Sequence, residues 1–449
     1  MGRLTPEELN GKIKAREIDT VILAFPDPAG QLMGKRLTGD FFLENTEVGC
    51  CDYLMTIDIE EKPRRGFKIS GWETGFGDLR MDPDFSTIHE LPWQEKSALI
   101  LCHLIDKNGK AVEEAPRRVL QRQVEKLAEG SLGAFTASEL EFFLFDSPYD
   151  SVYAGGHQTL VPSSPYPVDY HILHTGFDDG LLRTICNQIS EAGIPVESRK
   201  GETGKGQYEI GLKYAPALEM ADRHLIYKLG AKTLAARQGK SLTFMAKYRT
   251  DESGSSCHIH ISLTRTDSGK NAFIDQGGEP SDIFNHFLGG LIHLTPELFL
   301  FFAPTVNSYK RFVDESFAPV NLTWDYDNRT SGYRILGRGE GFRIENRFPG
   351  ADANPYLAYA AMIAAGLHGI REKITPPPPV RGNSYGQSGS SPLPRSLGEA
   401  ADRLDQSQVA RDVFGNGVID YYVHHARLEA REYAAQVGEW ELKRYFERI

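Results

Sequence analysis

Three short stretches of the chain alternate polar and apolar residues, and their polar members are side chains that bind metals or phosphate. They are Ser138-Glu139-Leu140-Glu141-Phe142, Cys257-His258-Ile259-His260-Ile261-Ser262 and Arg343-Ile344-Glu345-Asn346-Arg347. Successive side chains of a strand point to opposite faces, so each stretch predicts a strand with its polar groups on one face. Any one of them alone is typical of an amphipathic strand with a solvated face. Paired Glu and His on separate strands favour one shared cavity.

The number of carboxylates indicates a site for divalent cations. Hard cations that act on ATP prefer oxygen ligands, and the candidate ligands are Glu139, Glu141, Glu202, Glu209 and Glu345, with His258 as one nitrogen ligand. Without metal, these carboxylates would repel one another and have raised pKa values. The guanidinium group fits carboxylate and phosphate alike. We therefore expect a phosphate and carboxylate site from arginines that lie close in the sequence, namely Arg311, Arg329, Arg334, Arg343 and Arg347.

Composition excludes several classes of protein. The formal net charge of −11 argues against nucleic acid or an anionic membrane as a partner. No stretch is apolar enough to span a bilayer, and the first residues lead into charged sequence without a run that resembles a signal peptide. The five scattered cysteines show no CxxC pair and fit free thiols in a reducing compartment. We therefore predict a cytoplasmic protein.

Turn signals divide the chain into a small first part and a larger second part. The predicted elements are a helix that starts at Pro6 behind the cap Thr5, strands at 20–25 and 98–105, a turn at 106–110, helices at 116–129 and 356–370, a rigid linker at 376–379, a surface loop at 382–394 and charged helices from 421 onwards. We place the boundary near Gly109–Pro116. It gives an N-terminal domain over residues 1–110 and a second domain over residues 111–449 of an α+β chain.

Several motifs resemble those of the glutamine synthetase family. Residues 138–144 resemble its strand G-x-E-x-E-F-F-L, and residues 202–209 resemble its loop E-x-x-x-G-Q-x-E. Residues 243–247 with 253–260 are similar to T-F-M-x-K…G-S-G-x-H-x-H. The remaining motifs follow in the family's order at 307–311, 328–330, 343–347 and 353–356. An ordered set over nearly the whole chain is far more specific than any single motif.

The resemblance implies a fold, cofactors and an assembly. The fold is α+β, with a small β-grasp-like N-terminal domain and a glutamine synthetase catalytic domain that has a curved antiparallel sheet and flanking helices. The implied cofactors are ATP and two or three Mg²⁺ or Mn²⁺ ions. Family members form homo-oligomeric rings, so we expect a ring, a dodecamer, with each active site between the catalytic domain of one subunit and the N-terminal domain of its neighbour.

The same resemblance implies a role for each matched residue. The ligands of the metal on the glutamate side match Glu141, Glu202 and Glu209, and those of the metal at the ATP phosphates match Glu139, His258 and Glu345. The nucleotide contacts match Glu197, His260, Ser262, Arg334 and Arg343. The substrate L-glutamate and its phosphorylated form are held by residues that match Gly254, Arg311 and Arg347, and charge in phosphoryl transfer is stabilised by a residue that matches Arg329.

The flap after Arg311 departs from the family pattern. Glutamine synthetases read R-x-x-P-G-x-E-A-P there, and the Glu closes the ammonium site. Here residues 311–319 read R-F-V-D-E-S-F-A-P, which puts Phe317 at the position of that Glu. A benzyl group removes the negative charge that an ammonium ion needs and offers an apolar surface to an amine with a carbon skeleton. Alternatively, Glu315 moves in and the enzyme uses ammonia.

The family's F-D-G-S-S motif is also absent, and Asp58 is the best match for its Asp. If Asp58 takes that role, one carboxylate remains to accept a proton from an amine. These departures resemble those of the γ-glutamylamine ligases, which join glutamate to polyamines or monoamines. A polyamine would suit the acids Asp314, Glu315, Glu60 and Glu61, whereas a bulky monoamine would suit Phe317, Trp72 and Tyr53.

We therefore expect an ATP-dependent ligase that joins the γ-carboxylate of L-glutamate to an organic primary amine through γ-glutamyl phosphate. The first alternative is an ordinary glutamine synthetase that uses ammonia. The second, from another class, is a non-catalytic homologue. That alternative requires a damaged metal site, whereas every matched ligand is present in this chain.

Overall fold

The computed structural model describes residues 2–387, 389 and 391–449. Met1 and two positions of the predicted loop at 382–394, Ser388 and Ser390, lie outside these residues. The first part of the chain contains α1 (Pro6–Lys14), β1 (Thr20–Pro26), β2 (Leu32–Thr38), α2 (Gly39–Glu44), β3 (Val48–Cys51), β4 (Asp78–Pro83), β5 (His89–Glu90) and β6 (Ser97–Ile105).

The second part contains more helix. Its elements are α3 (Pro116–Glu129), β7 (Leu132–Phe145), α4 (Tyr149–Ala154), α5 (Ile172–Thr175), α6 (Asp179–Glu191), β8 (Val196–Gly201), β9 (Gln207–Leu212), β10 (Ala215–Pro216), α7 (Ala217–Arg237), β11 (Ser241–Thr243), β12 (Cys257–Arg265), α8 (Asp282–Leu298), β13 (Trp324–Tyr326), β14 (Tyr333–Leu336), β15 (Arg343–Asn346), α9 (Pro355–Glu372), α10 (Leu397–Gln406), α11 (Gln408–Phe414), α12 (Asn416–Ala434) and α13 (Glu439–Tyr445).

The smaller sheet belongs to the first part of the chain. Its strand order is β2-β1-β6-β4-β3, with β5 paired to β6. The pairing of β1 with β6 is parallel and the others are antiparallel. Helix α1 begins as predicted, because Thr5 and Glu8 form a capping box. Its buried residues Leu9 and Ile13 belong to the hydrophobic core.

The larger sheet brings the three polar stretches together. Its order is β13-β14-β15-β12-β7-β9-β8, so β12 lies between β15 and β7. In the antiparallel register His258 lies opposite Glu139, and His260 lies opposite Glu345. On the other side of β7, Glu141 lies opposite Glu209. The α+β fold with helices beside an antiparallel sheet is confirmed, and among the described strands of this larger sheet β13 with β14 is the parallel exception.

A buried polar network joins the two parts of the chain. Arg117 on α3 donates to both carboxylate oxygens of Asp222 on α7, at 3.0 and 2.9 Å, and to Asp84 of the first part at 2.7 Å. Asn354, which caps α9, donates to the carbonyl of Pro28 at 3.1 Å. The boundary near Gly109–Pro116 stays a prediction. Among the described residues, no helix has both the length and the apolar character needed to cross a bilayer.

Candidate active site

Three carboxylates form the first cluster. Glu141 on β7 faces Glu209 on β9, and Glu202 comes from the connection between β8 and β9. Each offers an oxygen within 4.8 Å of the others. Glu141 is buried and oriented, because its Oε2 accepts hydrogen bonds from the Ser256 amide at 2.8 Å and from Gln207 Nε2 at 3.1 Å. The sequence prediction grouped the same three glutamates.

Burial and mutual repulsion shift the acidity of this cluster. Burial, reinforced by the charges of Glu139 and Glu141, raises the pKa of Glu209 to about 9. Burial and the charge of Glu141 raise the pKa of Glu202 to about 7. These shifts follow the expectation for crowded carboxylates without metal. A cation placed among the three would stabilise their charged forms.

The second cluster combines carboxylates and imidazoles. Glu139, His260 and Glu345 offer ligand atoms within 4.8 Å of one another. His258 Nδ1 lies 3.6 Å from Glu139 Oε2 and 3.5 Å from Glu345 Oε1, so it also lies between the two carboxylates. Burial alone would raise the pKa of Glu139, but the two imidazoles more than offset burial and hold this pKa low. Glu139 is therefore ionised.

The hydrogen bonds distinguish the two imidazoles. Arg343 Nε donates to His260 Nδ1 at 3.1 Å. His260 Nε2 lies 2.9 Å from Glu139 Oε1, so this ring stands between Arg343 and Glu139. Burial and the neighbouring Arg347 lower the pKa of His258, which leaves that ring neutral and able to bind a cation. Both imidazoles lie beside the carboxylates of this cluster, and the role of His258 as the nitrogen ligand stays a prediction.

Two arginines hold Glu345, which is buried. Arg347 Nη1 donates to its Oε1 at 2.6 Å, and Arg334 Nη1 donates to its Oε2 at 3.2 Å. Burial would raise the pKa of Glu345, but Arg347 and the imidazoles lower it. Arg311 instead donates to the carbonyls of Arg347 and Phe348, at 2.8 and 2.9 Å. Arg329 is exposed, and its role in stabilising charge during phosphoryl transfer stays a prediction.

A cavity of about 600 Å³ opens beside the second cluster. Four of the five predicted nucleotide contacts line it, namely Glu197, His260, Ser262 and Arg343. The fifth, Arg334, reaches this region through Glu345. The sequence analysis missed Asn271 and Glu340, which also line the cavity and hold each other through the Asn271 amide and Glu340 Oε2 at 2.9 Å. Asn271 belongs to none of the motifs, whereas Glu340 stands in the glycine-rich segment 337–341 between Arg334 and Arg343.

The flap lies against the second cluster through its backbone. Arg347 Nη2 contacts the carbonyl of Phe317 at 3.4 Å, and Tyr385 donates to the carbonyl of Ala318 at 3.1 Å. The Phe317 side chain is 56% exposed, so it is available to a substrate. Phe317 and Glu315 both have positive φ, 59° and 61°. Gly254 lies beside the first cluster, where its carbonyl accepts from Gln207 Nε2 at 2.9 Å.

Asp58 lies in a turn of the first part of the chain. Its Oδ1 accepts from the amides of Glu60 and Lys62, both at 2.9 Å. The cavity described above is lined by residues from Phe135 onwards, so Asp58 of the same chain does not line it. A second acid of this region, Asp52, is buried and accepts from the Gly77 amide at 2.9 Å. The catalytic role predicted for Asp58 stays a prediction.

The family model of the glutamine synthetase catalytic domain matches residues 113–445 of the chain. The chain belongs to the glutamine synthetase family. Ligases of this family use ATP and divalent metals, and the two clusters supply the oxygen and imidazole donors that such metals prefer.

Relatives within the glutamine synthetase family resemble the chain over its full length. A γ-glutamylethanolamide synthetase of Streptomyces coelicolor is 44% identical over 99% of this chain and 96% of its own. A glutamate–isopropylamine ligase of Pseudomonas is 35% identical over 97% of both chains. The solved structure of GmaS without ligand has a TM-score of 0.85 at 27% identity, covering 98% of this chain and 99% of that one. The complex of GmaS with ADP has a TM-score of 0.84 at 26% identity over the same shares.

Proposed function

We propose that the protein is an ATP-dependent ligase that joins the γ-carboxylate of L-glutamate to an organic primary amine. The observation that carries this proposal is a complete ligand set beside a flap whose Phe317 replaces the expected carboxylate. The full-length relatives that act on ethanolamine and isopropylamine, according to their names, support an organic acceptor. Both are monoamines, and they favour a small monoamine over a polyamine.

The arrangement accounts for phosphoryl transfer to glutamate. Divalent cations at the two clusters would neutralise the phosphates and the γ-carboxylate during transfer. Arg343 and Ser262 lie in the cavity, where they would orient the nucleotide. Arg347, fixed by Glu345, would direct its guanidinium towards the glutamate side. Because phosphoryl transfer depends mostly on positioning and charge stabilisation, these residues need not react covalently.

Amide formation requires an amine that has lost a proton. The amine attacks the γ-carbonyl of γ-glutamyl phosphate, phosphate leaves, and the surplus proton of the amine passes to a base. We assign that base to Asp58 of a neighbouring subunit, because the cavity of one chain is lined by residues from Phe135 onwards. We therefore propose a homo-oligomeric ring that binds two or three Mg²⁺ or Mn²⁺ ions per active site, two of them at the two clusters.

The proposed acyl phosphate predicts the fate of carboxylate oxygen. When the γ-carboxylate of glutamate carries ¹⁸O, each amide formed should deliver one ¹⁸O atom into the released phosphate. Mass spectrometry of the phosphate measures this transfer, and a reaction without amine is the control. Amide formation accompanied by phosphate without label would show that the carboxylate is not phosphorylated, and would contradict the mechanism.

A further inference from the structure

Lys200 lies beside the first cluster and belongs to none of the family motifs found in the sequence. Its ammonium group contacts Glu202 Oε1 and lies 3.8 Å from Asp169 Oδ1. It also lies 4.4 Å from the centre of the Tyr170 ring. In the pairing of β8 with β9, Lys200 stands opposite Glu209. Its side chain is 25% exposed, so this cation is partly desolvated among carboxylates.

The position of Lys200 conflicts with metal binding at the same carboxylate. Glu202 can give its Oε1 either to the ammonium group or to a divalent cation. Two cations at this distance repel each other strongly when solvent is partly excluded. A metal that takes this oxygen in the Glu141–Glu202–Glu209 cluster would therefore compete with Lys200 for Glu202.

A second pair of groups is ready to receive the displaced ammonium. Asp169 and the face of Tyr170 are already within 3.8 and 4.4 Å of it. Their segment is tied to the strand that precedes Glu202, because the Tyr170 amide donates to the Gly201 carbonyl at 3.4 Å. The Val168 amide donates to the Glu202 carbonyl at 3.3 Å. The receiving groups thus stay in place when Glu202 changes partner.

We propose that Lys200 is an internal counter-ion of the Glu141–Glu202–Glu209 cluster in its metal-free form. When a divalent cation binds, the Lys200 ammonium moves from Glu202 to Asp169 and Tyr170. Lys200 therefore sets the metal affinity of this cluster. This inference rests on the proposed role of Glu141, Glu202 and Glu209 as metal ligands. It is independent of the acceptor amine and of Phe317.

The test measures Mn²⁺ binding to the metal-free full-length protein. Loss of the electron paramagnetic resonance signal of free Mn²⁺ reports the binding. Lys200→Met should bind Mn²⁺ at least about fivefold more tightly at the affected site, because a repelling cation is gone. Lys200→Arg keeps the charge and should stay closer to the original affinity. Arg199→Met is the matched control, since Arg199 is the preceding residue on the same strand and pairs with Asp179 instead.

Tyr170→Leu provides a second test that does not alter the cluster. Tyr170 is 64% exposed, and its replacement changes no formal charge. Because the ring already lies 4.4 Å from the ammonium before a metal binds, only the strengthening of this contact is lost, and Mn²⁺ affinity should fall by less than the roughly two- to fivefold that a whole exposed cation–π contact is worth.

Several outcomes would overturn the inference. They are an unchanged or weaker affinity in Lys200→Met, an equal gain in Arg199→Met, a tighter affinity in Tyr170→Leu, and no Mn²⁺ binding by the original protein. A separate assay for amide product distinguishes the proposed function. Mn²⁺ affinities that follow these expectations in a protein that forms no amide would support the counter-ion role and contradict the ligase.

Discussion

Glu209→Gln is expected to remove nearly all ligase activity and to eliminate one bound Mn²⁺ per chain. Glu209 faces Glu141 across β7 and β9, where a cation would take one oxygen from each. An amide keeps the shape of the side chain but supplies no negative charge. Loss of a ligand should lower kcat/KM by more than the roughly 100-fold that loss of a ligand's hydrogen-bond partner can cost. Steady-state kinetics and Mn²⁺ stoichiometry measure the two effects.

The same variant should still fold. Burial raises the pKa of Glu209 to about 9 in the metal-free cluster, so the side chain is largely neutral there at pH 7 and glutamine resembles it. The metal-free Glu209→Gln protein should therefore melt no lower than the original. Glu191→Gln, at the exposed end of α6, is the control and should leave activity and stoichiometry unchanged. A variant at Glu209 that keeps a tenth of the activity with full stoichiometry would contradict the metal site.

Phe317→Glu is expected to shift the acceptor preference towards ammonium. The new carboxylate would attract a small cation. The carbon skeleton of a larger amine would displace water from this carboxylate, which costs free energy of desolvation. The ratio of kcat/KM for ammonium to that for ethanolamine should rise by about tenfold or more, the scale on which one side chain of a pocket discriminates. Because the Phe317 side chain is 56% exposed, the change leaves no cavity in the core.

Two further variants separate charge from shape at the flap. Phe317→Gln has a similar length to Phe317→Glu without its charge, and should produce a smaller shift. Glu315→Gln tests the alternative in which Glu315 supplies the ammonium carboxylate. If the original protein uses ammonium efficiently and Glu315→Gln loses that activity, the flap works as in an ammonia-using glutamine synthetase. An unchanged ratio in Phe317→Glu would also contradict the role given to Phe317.

Local sequence signals predicted the ends of several elements. The Thr5 cap and Pro6 start α1, and Pro116 and Glu129 are the two ends of α3, as the sequence indicated. Helix α9 begins at Pro355 behind the Asn354 cap for the same reason. Caps and prolines act within one turn of the helix, so their effect can be read without knowledge of distant residues.

The alternation of polar and apolar residues and the resemblance to a known family predicted only part of the site. Alternation placed Glu139 and Glu141 on one face, and the structure adds that β12 lies between β7 and β15. Strand order and register depend on contacts between distant segments, so periodicity alone does not reveal that His258 lies opposite Glu139. The hydrogen bond from Arg343 to His260 likewise joins two strands that lie far apart in the sequence.

Other contacts had no sequence signal. Arg311 donates to backbone carbonyls, which a list of arginines could not show. Lys200 meets Glu202 because a strand and the following connection bring them together. The role proposed for Asp58 requires a neighbouring subunit, and the strand pattern of one chain carries no signal for such a contact.

This glutamine synthetase homologue is expected to join glutamate to an organic amine. The most direct test of that activity is ATP-dependent phosphate release with glutamate, Mg²⁺ and a panel of amines at equal concentration, with mass analysis of each product. The panel contains ammonium, ethanolamine, isopropylamine and a polyamine. We expect efficient phosphate release and a γ-glutamylamide product with at least one organic amine, and little phosphate release with ammonium. Strong release with ammonium alone, with glutamine as the product, would contradict it.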